Sequence, residues 1–288
     1  MNNIPNLDEL INLALLEDVG DGDHSTLACI PPTATGSAKM VAKQAGIICG
    51  TEVGKRVFDF VNDQFYHSPI PMQVNILKHD GESIEKGDII MTIEGASGVI
   101  LTAERTALNF MQRLSGIATQ THQMVAMLDG LHTQLLDTRK TTPNMRLLEK
   151  YAVHCGGGTN HRIGLYDMIM LKDNHIDFAG GIEAAIDRTH DYLKSHNKDL
   201  RIEIEVRNLS ELQQVLQHGG VHRIMLDNFD VANLREAVKL IDGKYETEAS
   251  GGITDATLRQ YAETGVDFIS VGALTHHIKS LDISLIKK

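Results

Sequence analysis

The chain is poor in aromatic side chains and in positive charge. Among its 288 residues there is no Trp, and aromatic residues make up 5%. Base-stacking and sugar-stacking platforms are built from such rings, so sites of that kind are not expected. The 27 Lys and Arg residues stand against 38 Asp and Glu, which gives a formal net charge of −11. A general nucleic-acid binder needs basic surface to displace counterions, so we expect no nucleic-acid partner.

Long apolar runs and paired cysteines are also missing. No run approaches the roughly 18 apolar residues of a membrane-spanning helix, and the first ten residues lack the basic stretch and apolar core of a signal peptide. Cys29, Cys49 and Cys155 are far apart and odd in number. This spacing indicates reduced, buried side chains rather than disulfides or a zinc site. We therefore expect a cytoplasmic protein with no membrane partner.

The N-terminal part of the chain mixes helix and strand patterns. Residues 7–18 have apolar side chains at helical spacing, with Asn6 as the candidate N-cap. Residues 72–93 read as two strands around the turn Asp80-Gly81-Glu82, in the manner of biotinyl and lipoyl carrier domains. Such a carrier needs a lysine near position 96, where this chain has Ala96. The pattern therefore favours a structural hairpin.

The second part of the chain alternates strands and helices. A long periodic helix is predicted over 103–128, and six apolar strands follow it. The residues Glu205, Asp227, Ser250 and Gly272 recur at intervals of 22, 23 and 22 positions, the length of a βα unit. We therefore predict an α/β fold: a small α/β barrel of six or seven βα units over 116–276, preceded by an N-terminal α+β domain over 1–115. The helix 103–128 would bridge the two domains, and the tail 277–288 would pack on the first.

Functional groups in such barrels gather at the carboxyl ends of the strands, and here those ends are rich in cations. Between Arg139 and Lys172 there are six Lys or Arg and two Asp or Glu residues, a local balance of +4. For Arg146 and Lys150, on a helix after Pro143, a solvated basic face is the better interpretation. The other four cations, Arg139, Lys140, Arg162 and Lys172, favour a site for an anionic substrate. His161 is either a core histidine or a ligand contact.

Glycines and carboxylates complete the predicted strand ends. Ser250-Gly251-Gly252 and Gly272 end consecutive strands, and glycine-rich turns there suit a phosphate group. Glu205 and Asp227 end neighbouring strands, where they could hold Mg²⁺ or sugar hydroxyls. The pattern indicates a phosphorylated sugar that meets an acidic small molecule.

These motifs together resemble the quinolinate phosphoribosyltransferase family, also called nicotinate-nucleotide pyrophosphorylase (carboxylating). The resemblance covers nearly the whole chain and rests on LDTRKTTP (136–143), GGGTNHRIGLYDMIMLKDNHI (156–176), EIEVRN (203–208), IMLDN (224–228), EASGGI (248–253) and ISVGALTH (269–276). It implies that quinolinate and 5-phosphoribosyl-1-pyrophosphate become nicotinate mononucleotide, pyrophosphate and CO₂, with Mg²⁺, in de novo NAD synthesis. One departure is Asn144, where the family most often has glycine; Asn tolerates the same left-handed backbone.

The resemblance also implies roles for individual residues. Arg139, His161, Arg162 and Lys172 would hold the two carboxylates of quinolinate, together with Arg105 from a second subunit of at least a dimer. Spacing alone makes Arg105 an exposed helix residue. The ribose, pyrophosphate and Mg²⁺ would lie against Lys140, Glu205 and Asp227, with Mg²⁺ bound directly or indirectly. The cradle for the 5-phosphate would be Ser250, Gly251, Gly252 and Gly272.

Other functions fit part of the pattern. Lys172 ends a strand as the lysines of Schiff-base lyases do, and burial there would make its amine nucleophilic. A relative of the same fold linked to molybdenum uptake is a further alternative. The non-enzyme alternative is a binding or regulatory protein that retains the pocket without turnover.

Overall fold

The computed structural model describes residues 4–288, and their contacts divide the chain into two units. The first unit comprises the chain up to His122 with Thr142–Gly157 and His277–Lys288, and the second comprises Gln123–Thr141 and Gly158–His276. Each of these units is assembled from separate stretches of the chain, whereas the sequence predicts a single domain boundary after residue 115. That boundary stays a prediction.

The first unit is built on a four-stranded antiparallel sheet in the order β12-β1-β5-β3. Its elements are α1 (Leu7–Val19), α2 (His24–Cys29), β1 (Thr35–Ala42), β2 (Gly46–Ile47), α3 (Thr51–Phe60) with a π-helical continuation (Val61–Tyr66), β3 (Gln73–Ile76), β4 (Ser83–Ile84), β5 (Ile89–Ala96), α4 (Ser97–Ala126, of which residues 123–126 belong to the second unit), α5 (Arg146–Cys155) and β12 (Ile283–Lys287). The tail strand β12 pairs with β1 from Ala38↔Lys287 to Ala42↔Ile283.

Several local predictions for this unit are confirmed, with shifted ends. Helix α1 begins at Leu7 as predicted, but Asn6 has φ 64° and makes no side-chain cap. The two predicted strands pair as β3 and β5, and Ala96 is buried at the end of β5 rather than at an exposed turn. Helix α4 begins at Ser97 instead of 103, because the buried Val99 and Ile100 extend its apolar face.

Two expectations about exposure are wrong. Lys150 is 1% exposed and does not belong to a solvated basic face. The buried residues of α5 run from Leu148 to Val153 and cover more than half of its circumference, so the helix has little surface left for solvent. Arg146 is half-buried. Cys29 is exposed although it was expected to be buried; all three cysteines are free, with Cys49 buried and Cys155 half-buried.

The second unit contains a six-stranded parallel sheet in the order β6-β11-β10-β9-β8-β7. Its elements are β6 (Gln134–Leu136), β7 (Ile169–Leu171), α6 (Asp173–Ala179), α7 (Ile182–Ser195), β8 (Ile202–Val206), α8 (Leu209–His218), β9 (Arg223–Asp227), α9 (Val231–Ile241), β10 (Glu246–Ser250), α10 (Asp255–Ala262), β11 (Phe268–Ser270) and α11 (Ala273–His276). All six strands lie where the sequence predicts them, which confirms the α/β class.

The parallel sheet curves around the side chain of His161. The main-chain N–H of His161 donates to Asp137 Oδ1 at 2.8 Å, just beyond β6, while its ring Nε2 lies 3.1 Å from Glu203 of β8. Strand β8 is the fourth neighbour of β6 in the sheet, so a flat sheet would separate the two by about 19 Å. One residue contacts both, through its main chain and its ring, because the sheet bends, as the predicted barrel requires.

No helix within residues 4–288 combines the length and the apolar composition needed to cross a membrane. The helices of the second unit are instead amphipathic. Ala185 and Ile186 of α7 are buried, for example, whereas the neighbouring Asp187 is exposed.

The buried carboxylate of Glu149 gives a test of the packing in the first unit. Glu149 is fully buried, its Oε1 accepts from Arg113 Nε at 2.8 Å, and its Oε2 accepts from the main chain of Thr142 at 3.1 Å. Replacing one member of a buried ion pair strands the other, so Glu149→Gln should lower the free energy of unfolding by about 2–4 kcal/mol.

The control is the exposed pair of Asp8 and Arg56, whose side chains are 56% and 36% exposed. Asp8→Asn should lower the free energy of unfolding by less than about 1 kcal/mol. Urea denaturation of both variants measures the difference, and equal losses would contradict the importance assigned to Glu149.

Candidate active site

One cavity of about 780 Å³ in the second unit contains nearly all the site residues predicted from the sequence. Its volume lies within the range of ordinary ligand sites. Of the predicted residues, those that line it are Arg139, Lys140, His161, Arg162, Lys172, Glu205, Asp227, Ser250, Gly251, Gly252 and Gly272. They lie at the carboxyl ends of the parallel strands because all six strands run in the same direction.

Two arginines meet on one wall of the cavity. Arg162 Nη1 donates to the carbonyl of Met168 at 3.1 Å, which holds its guanidinium against the chain that enters β7. Burial lowers the pKa of Arg162, and the nearby charge of Arg139 lowers it further. Two like charges in a partly buried wall repel each other until an anion lies between them, so this wall is suited to a carboxylate or phosphate.

Lys172 lies opposite two carboxylates. Its Nζ is 3.0 Å from Glu205 Oε2, and its main-chain N–H donates to His175 Nδ1 at 2.9 Å at the start of α6. Burial raises the pKa of Asp227, and the charge of Glu205 raises it further. The two carboxylates therefore lie close enough to repel each other, and a cation between them would relieve that repulsion.

The ring of His161 is enclosed by protein groups on both nitrogens. The main-chain N–H of Arg162 is 2.7 Å from Nδ1, and Nε2 lies 3.1 Å from Glu203 Oε2 and 3.3 Å from Glu248 Oε2. Burial lowers the pKa of His161, but the two carboxylates outweigh it and raise the pKa to about 9. The contact at Nδ1 favours the neutral ring, but two buried anions outweigh one neutral donor. His161 is thus both a core residue and part of the cavity wall.

The pKa values of the two buried carboxylates move in opposite directions, and only Glu248 lies within ion-pair distance of Arg223 as well as of His161. Burial and the charge of Glu248 raise the pKa of Glu203 to about 7. Burial alone would raise the pKa of Glu248 as well, but His161, Ser270 and Arg223 lower it below its usual value. Arg223 Nη1 lies 3.1 Å from Glu248 Oε2. As the pH falls, Glu203 therefore takes up a proton first, and Glu248 stays ionised to a lower pH.

The glycine-rich end of the cavity has no space for side chains at two positions. A Cβ on Gly251 would lie 3.0 Å from the main-chain nitrogen of Asn228 and overlap its side chain, and φ there is +99°. A Cβ on Gly272 would lie 3.0 Å from both Lys140 Cδ and His276 Nε2. Glycine therefore leaves main-chain groups accessible beside Lys140, as a phosphate cradle requires.

The loop after Lys140 adopts the predicted conformation. Asn144 has φ 64°, the left-handed backbone for which Asn replaces glycine. The carbonyl of Lys140 accepts from Thr275 Oγ1 at 2.8 Å, which fixes the main chain beside the cradle.

Eleven further residues line the cavity, and the sequence predicts no individual role for them: Thr138, Met170, Met225, Asn228, Glu248, Ile253, Thr254, Ser270, Val271, Ala273 and His276. Thr138 and Asn228 lie at strand ends that the sequence places at the site, whereas the other nine were missed. A signal existed for Glu203, which lies between Ile202 and Ile204 on a strand expected to be buried on both faces. Such a charged residue faces the enclosed side of the sheet and needs a partner.

Arg105 is the one predicted residue that does not line this cavity. It is exposed on α4 in the first unit, as its spacing predicts. Its role at a site stays a prediction.

The chain is similar to known proteins in both sequence and structure. Residues 23–115 match the family model described as the N-terminal domain of quinolinate phosphoribosyl transferase, and 117–286 match the model of its C-terminal domain. A nicotinate-nucleotide pyrophosphorylase [carboxylating] of Oryza sativa subsp. japonica is 44% identical over 97% of this chain and 77% of the relative. A probable one of Bacillus subtilis (strain 168) is 40% identical over 97% of this chain and 92% of the relative.

Solved structures agree with the sequence comparison. The nicotinate-nucleotide pyrophosphorylase of Francisella tularensis superposes with a TM-score of 0.91 at 39% identity, covering 100% of this chain and 98% of that one. NadC of Streptococcus pyogenes gives a TM-score of 0.90 at 39% identity, covering 98% and 97%.

Adjacent glycines in the cradle provide a matched test. Gly251→Ala adds a collision with Asn228 to the strain of a positive φ, whereas Gly252, with φ +63°, has no atom within 4 Å of an added Cβ. Gly252→Ala should therefore lower the free energy of unfolding by about 1–2 kcal/mol, and Gly251→Ala by about 2 kcal/mol more. Chemical denaturation measures both, and equal losses would mean that Asn228 moves aside.

Proposed function

The chain belongs to the quinolinate phosphoribosyltransferase family, and from this premise we propose that it converts quinolinate and 5-phosphoribosyl-1-pyrophosphate to nicotinate mononucleotide, pyrophosphate and CO₂. The observation that carries the proposal is the cavity itself, which combines a cationic wall, a pair of carboxylates and a glycine cradle. A dianion, a sugar and a phosphate need these three features respectively.

The cationic wall would orient the substrate dianion. Arg139 and Arg162 present guanidinium groups to carboxylates, and Lys172, which lines the same cavity, supplies a third positive charge. Binding would exclude water from the ring and place its nitrogen against C1 of the sugar, so that proximity supplies much of the rate. The repulsion between Arg139 and Arg162 makes the pocket favour a dianion over a monoanion.

The cradle would hold the sugar donor by its phosphates. Gly251, Gly252 and Gly272 give close access to the main chain, and Lys140 lies beside Gly272. This position lets Lys140 stabilise charge on the departing pyrophosphate. Glu205 and Asp227 would lie near the ribose, where carboxylates favour the positive charge that develops at C1.

The residues fit a magnesium ion as well. Glu205 and Asp227 provide oxygen ligands. Burial, and after it the charge of Glu205, raises the pKa of Asp227, and a cation bound there would stabilise the ionised carboxylates. Mg²⁺ bound there, directly or through water, would neutralise pyrophosphate charge as the bond to C1 breaks.

Loss of CO₂ would follow from the chemistry of the alkylated ring. Once the ring nitrogen bears the sugar, its positive charge stabilises the carbanion left when the 2-carboxylate departs. The carbanion would then take up a proton from water that enters the pocket once CO₂ has left. The protein needs only a pocket that permits this step, and we assign no acid–base residue.

The Schiff-base alternative is not favoured by the surroundings of Lys172. Its side chain is 47% exposed and its ammonium forms an ion pair with Glu205. A nucleophilic amine requires burial away from anions.

We also propose a homo-oligomer, at least a dimer, in which Arg105 completes the site of its neighbour. A cytoplasmic location stays a prediction.

A turnover assay with quinolinate, the sugar donor and Mg²⁺ tests the proposed function. We expect CO₂ and nicotinate mononucleotide in equal amounts, with no comparable reaction of nicotinate. Equal or faster use of nicotinate would overturn the proposal, and binding without any product would favour the regulatory alternative.

The cationic wall can be tested by one substitution. Arg139→Ala should raise KM for quinolinate by about a hundredfold and change KM for the sugar donor far less, because a bidentate partner of a carboxylate is lost. The control is Arg207→Ala, an exposed arginine paired with Asp177 and Glu211 outside the cavity, which should leave both KM values unchanged. Equal increases for both substrates would contradict the role given to Arg139.

The trans role of Arg105 can be tested by mixing inactive variants. In a mixed dimer of Arg105→Ala and Lys172→Ala chains, one of the two sites would have both residues. Random mixing should restore about a quarter of the wild-type activity. Verified mixed dimers without activity would show that Arg105 acts within its own chain, and an Arg105→Ala variant that is active by itself would show that Arg105 has no role at the site.

A further inference from the structure

Four charged side chains form a buried cluster beneath the cavity, which we call the His161 cluster: His161, Glu203, Arg223 and Glu248. Glu203 and Glu248 are fully buried and His161 is 7% exposed. His161 Nε2 contacts both carboxylates at 3.1 and 3.3 Å, and Arg223 Nη1 contacts Glu248 at 3.1 Å. With both groups of each sign ionised, the cluster is neutral.

A cluster of this kind contributes poorly to stability. Burying each charge costs several kcal/mol, and apolar side chains of similar volume are often as stable or more so. The inward positions of small barrels are usually filled by Val, Ile and Leu. The cluster therefore calls for a role that apolar residues could not perform.

The cluster reaches the cavity through His161 and Glu248, whereas Glu203 is not part of the cavity wall. His161 is joined to the substrate wall by its neighbour Arg162, whose main-chain N–H lies 2.7 Å from Nδ1. The orientation of the ring thus sets the main chain that carries the Arg162 guanidinium. Since both ring nitrogens face protein groups, the ring is fixed from both sides.

We propose that Glu203 is a positioning residue that fixes the His161 ring and, through it, Arg162 in the orientation that receives the substrate dianion. This inference rests on the proposed function for the identity of the dianion. Glu248 shares the task but is also paired with Arg223 at 3.1 Å. Within the cluster the ion-pair contact of Glu203 is with His161, and its charge acts on Arg223 and Arg162 only over a longer distance.

A metal ion would be a different explanation of the same residues. Ligand atoms of His161, Glu203 and Glu248 lie within 4.8 Å of one another. The carboxylate of Glu248, however, already faces the guanidinium of Arg223 at 3.1 Å. A divalent cation beside a guanidinium is unfavourable, and the cluster is neutral without it.

The test compares Glu203→Gln with Glu246→Gln. Gln keeps the shape of Glu203 and removes its charge. Glu246 also contacts Arg223, at 3.0 Å, but it makes no contact with His161, so its variant controls for a disturbed Arg223. We expect Glu203→Gln to raise KM for quinolinate at least tenfold, with KM for the sugar donor and kcat changed less than threefold. Glu246→Gln should leave KM for quinolinate within twofold.

A double variant separates positioning from general destabilisation. In a His161→Asn background, Glu203→Gln should change KM for quinolinate less than twofold, because its target is gone. An equally large effect in that background, equal increases for both substrates, or no increase in the single variant would overturn the inference. Glu203→Asp, which keeps the charge on a shorter side chain, should give an intermediate KM and replaces the Gln variant if that one does not fold.

Two further measurements do not depend on turnover. In NMR spectra of protein labelled in histidine, the His161 ring signal should shift or broaden in Glu203→Gln and stay in place in Glu246→Gln. An unmoved signal would overturn the inference even if the wild type is active, whereas an inactive wild type with a moved signal would overturn only the proposed function. Elemental analysis should find no transition metal in the wild-type protein. About one equivalent of metal per chain in the wild type, absent from the Glu203→Gln variant, would overturn the inference.

Discussion

The His161 ring lies between the carboxylates of Glu203 and Glu248, on the enclosed face of a curved parallel sheet. Charges there can be tolerated only in balance, because each unpaired ion would cost several kcal/mol. Arg223 supplies the second cation and completes that balance. The segment that carries His161 and Arg162 is thereby fixed to three strands of the sheet, so the geometry of the site depends on this buried cluster.

In the buried cluster opposite charges balance, whereas in the cavity wall above it like charges lie side by side. Arg139 and Arg162 lie close enough for one to lower the pKa of the other, and Asp227 and Glu205 repel each other in the same cavity. Such like-charge neighbours are unfavourable in the free protein and become favourable when the substrate dianion and a cation bind. The net charge of −11 conceals this arrangement, since the positive groups are few and concentrated.

Much of this arrangement could be predicted from the sequence. The six strands were recognisable as apolar runs at regular intervals, and polar residues after each run had to meet at one edge of a parallel sheet. The partners of His161 could not be predicted, because its contact with Glu203 depends on the curvature of the sheet and not on spacing along the chain. The burial of Lys150 could not be predicted for a similar reason, because the polar face of a helix is exposed only if no other part of the chain packs against it. The exposure of Cys29 could not be predicted either, because the spacing of the three cysteines along the chain says nothing about which of them is buried.

A cationic wall held by a buried neutral cluster is expected to receive a dianion. A crystal structure of the protein with quinolinate bound would show whether it does. Both carboxylates of quinolinate should lie against Arg139, Arg162 and Lys172, with the ring nitrogen facing the space between Lys140 and Asp227. Quinolinate bound in the glycine cradle at Gly251 and Gly272, or with its carboxylates directed away from the two arginines, would contradict this expectation.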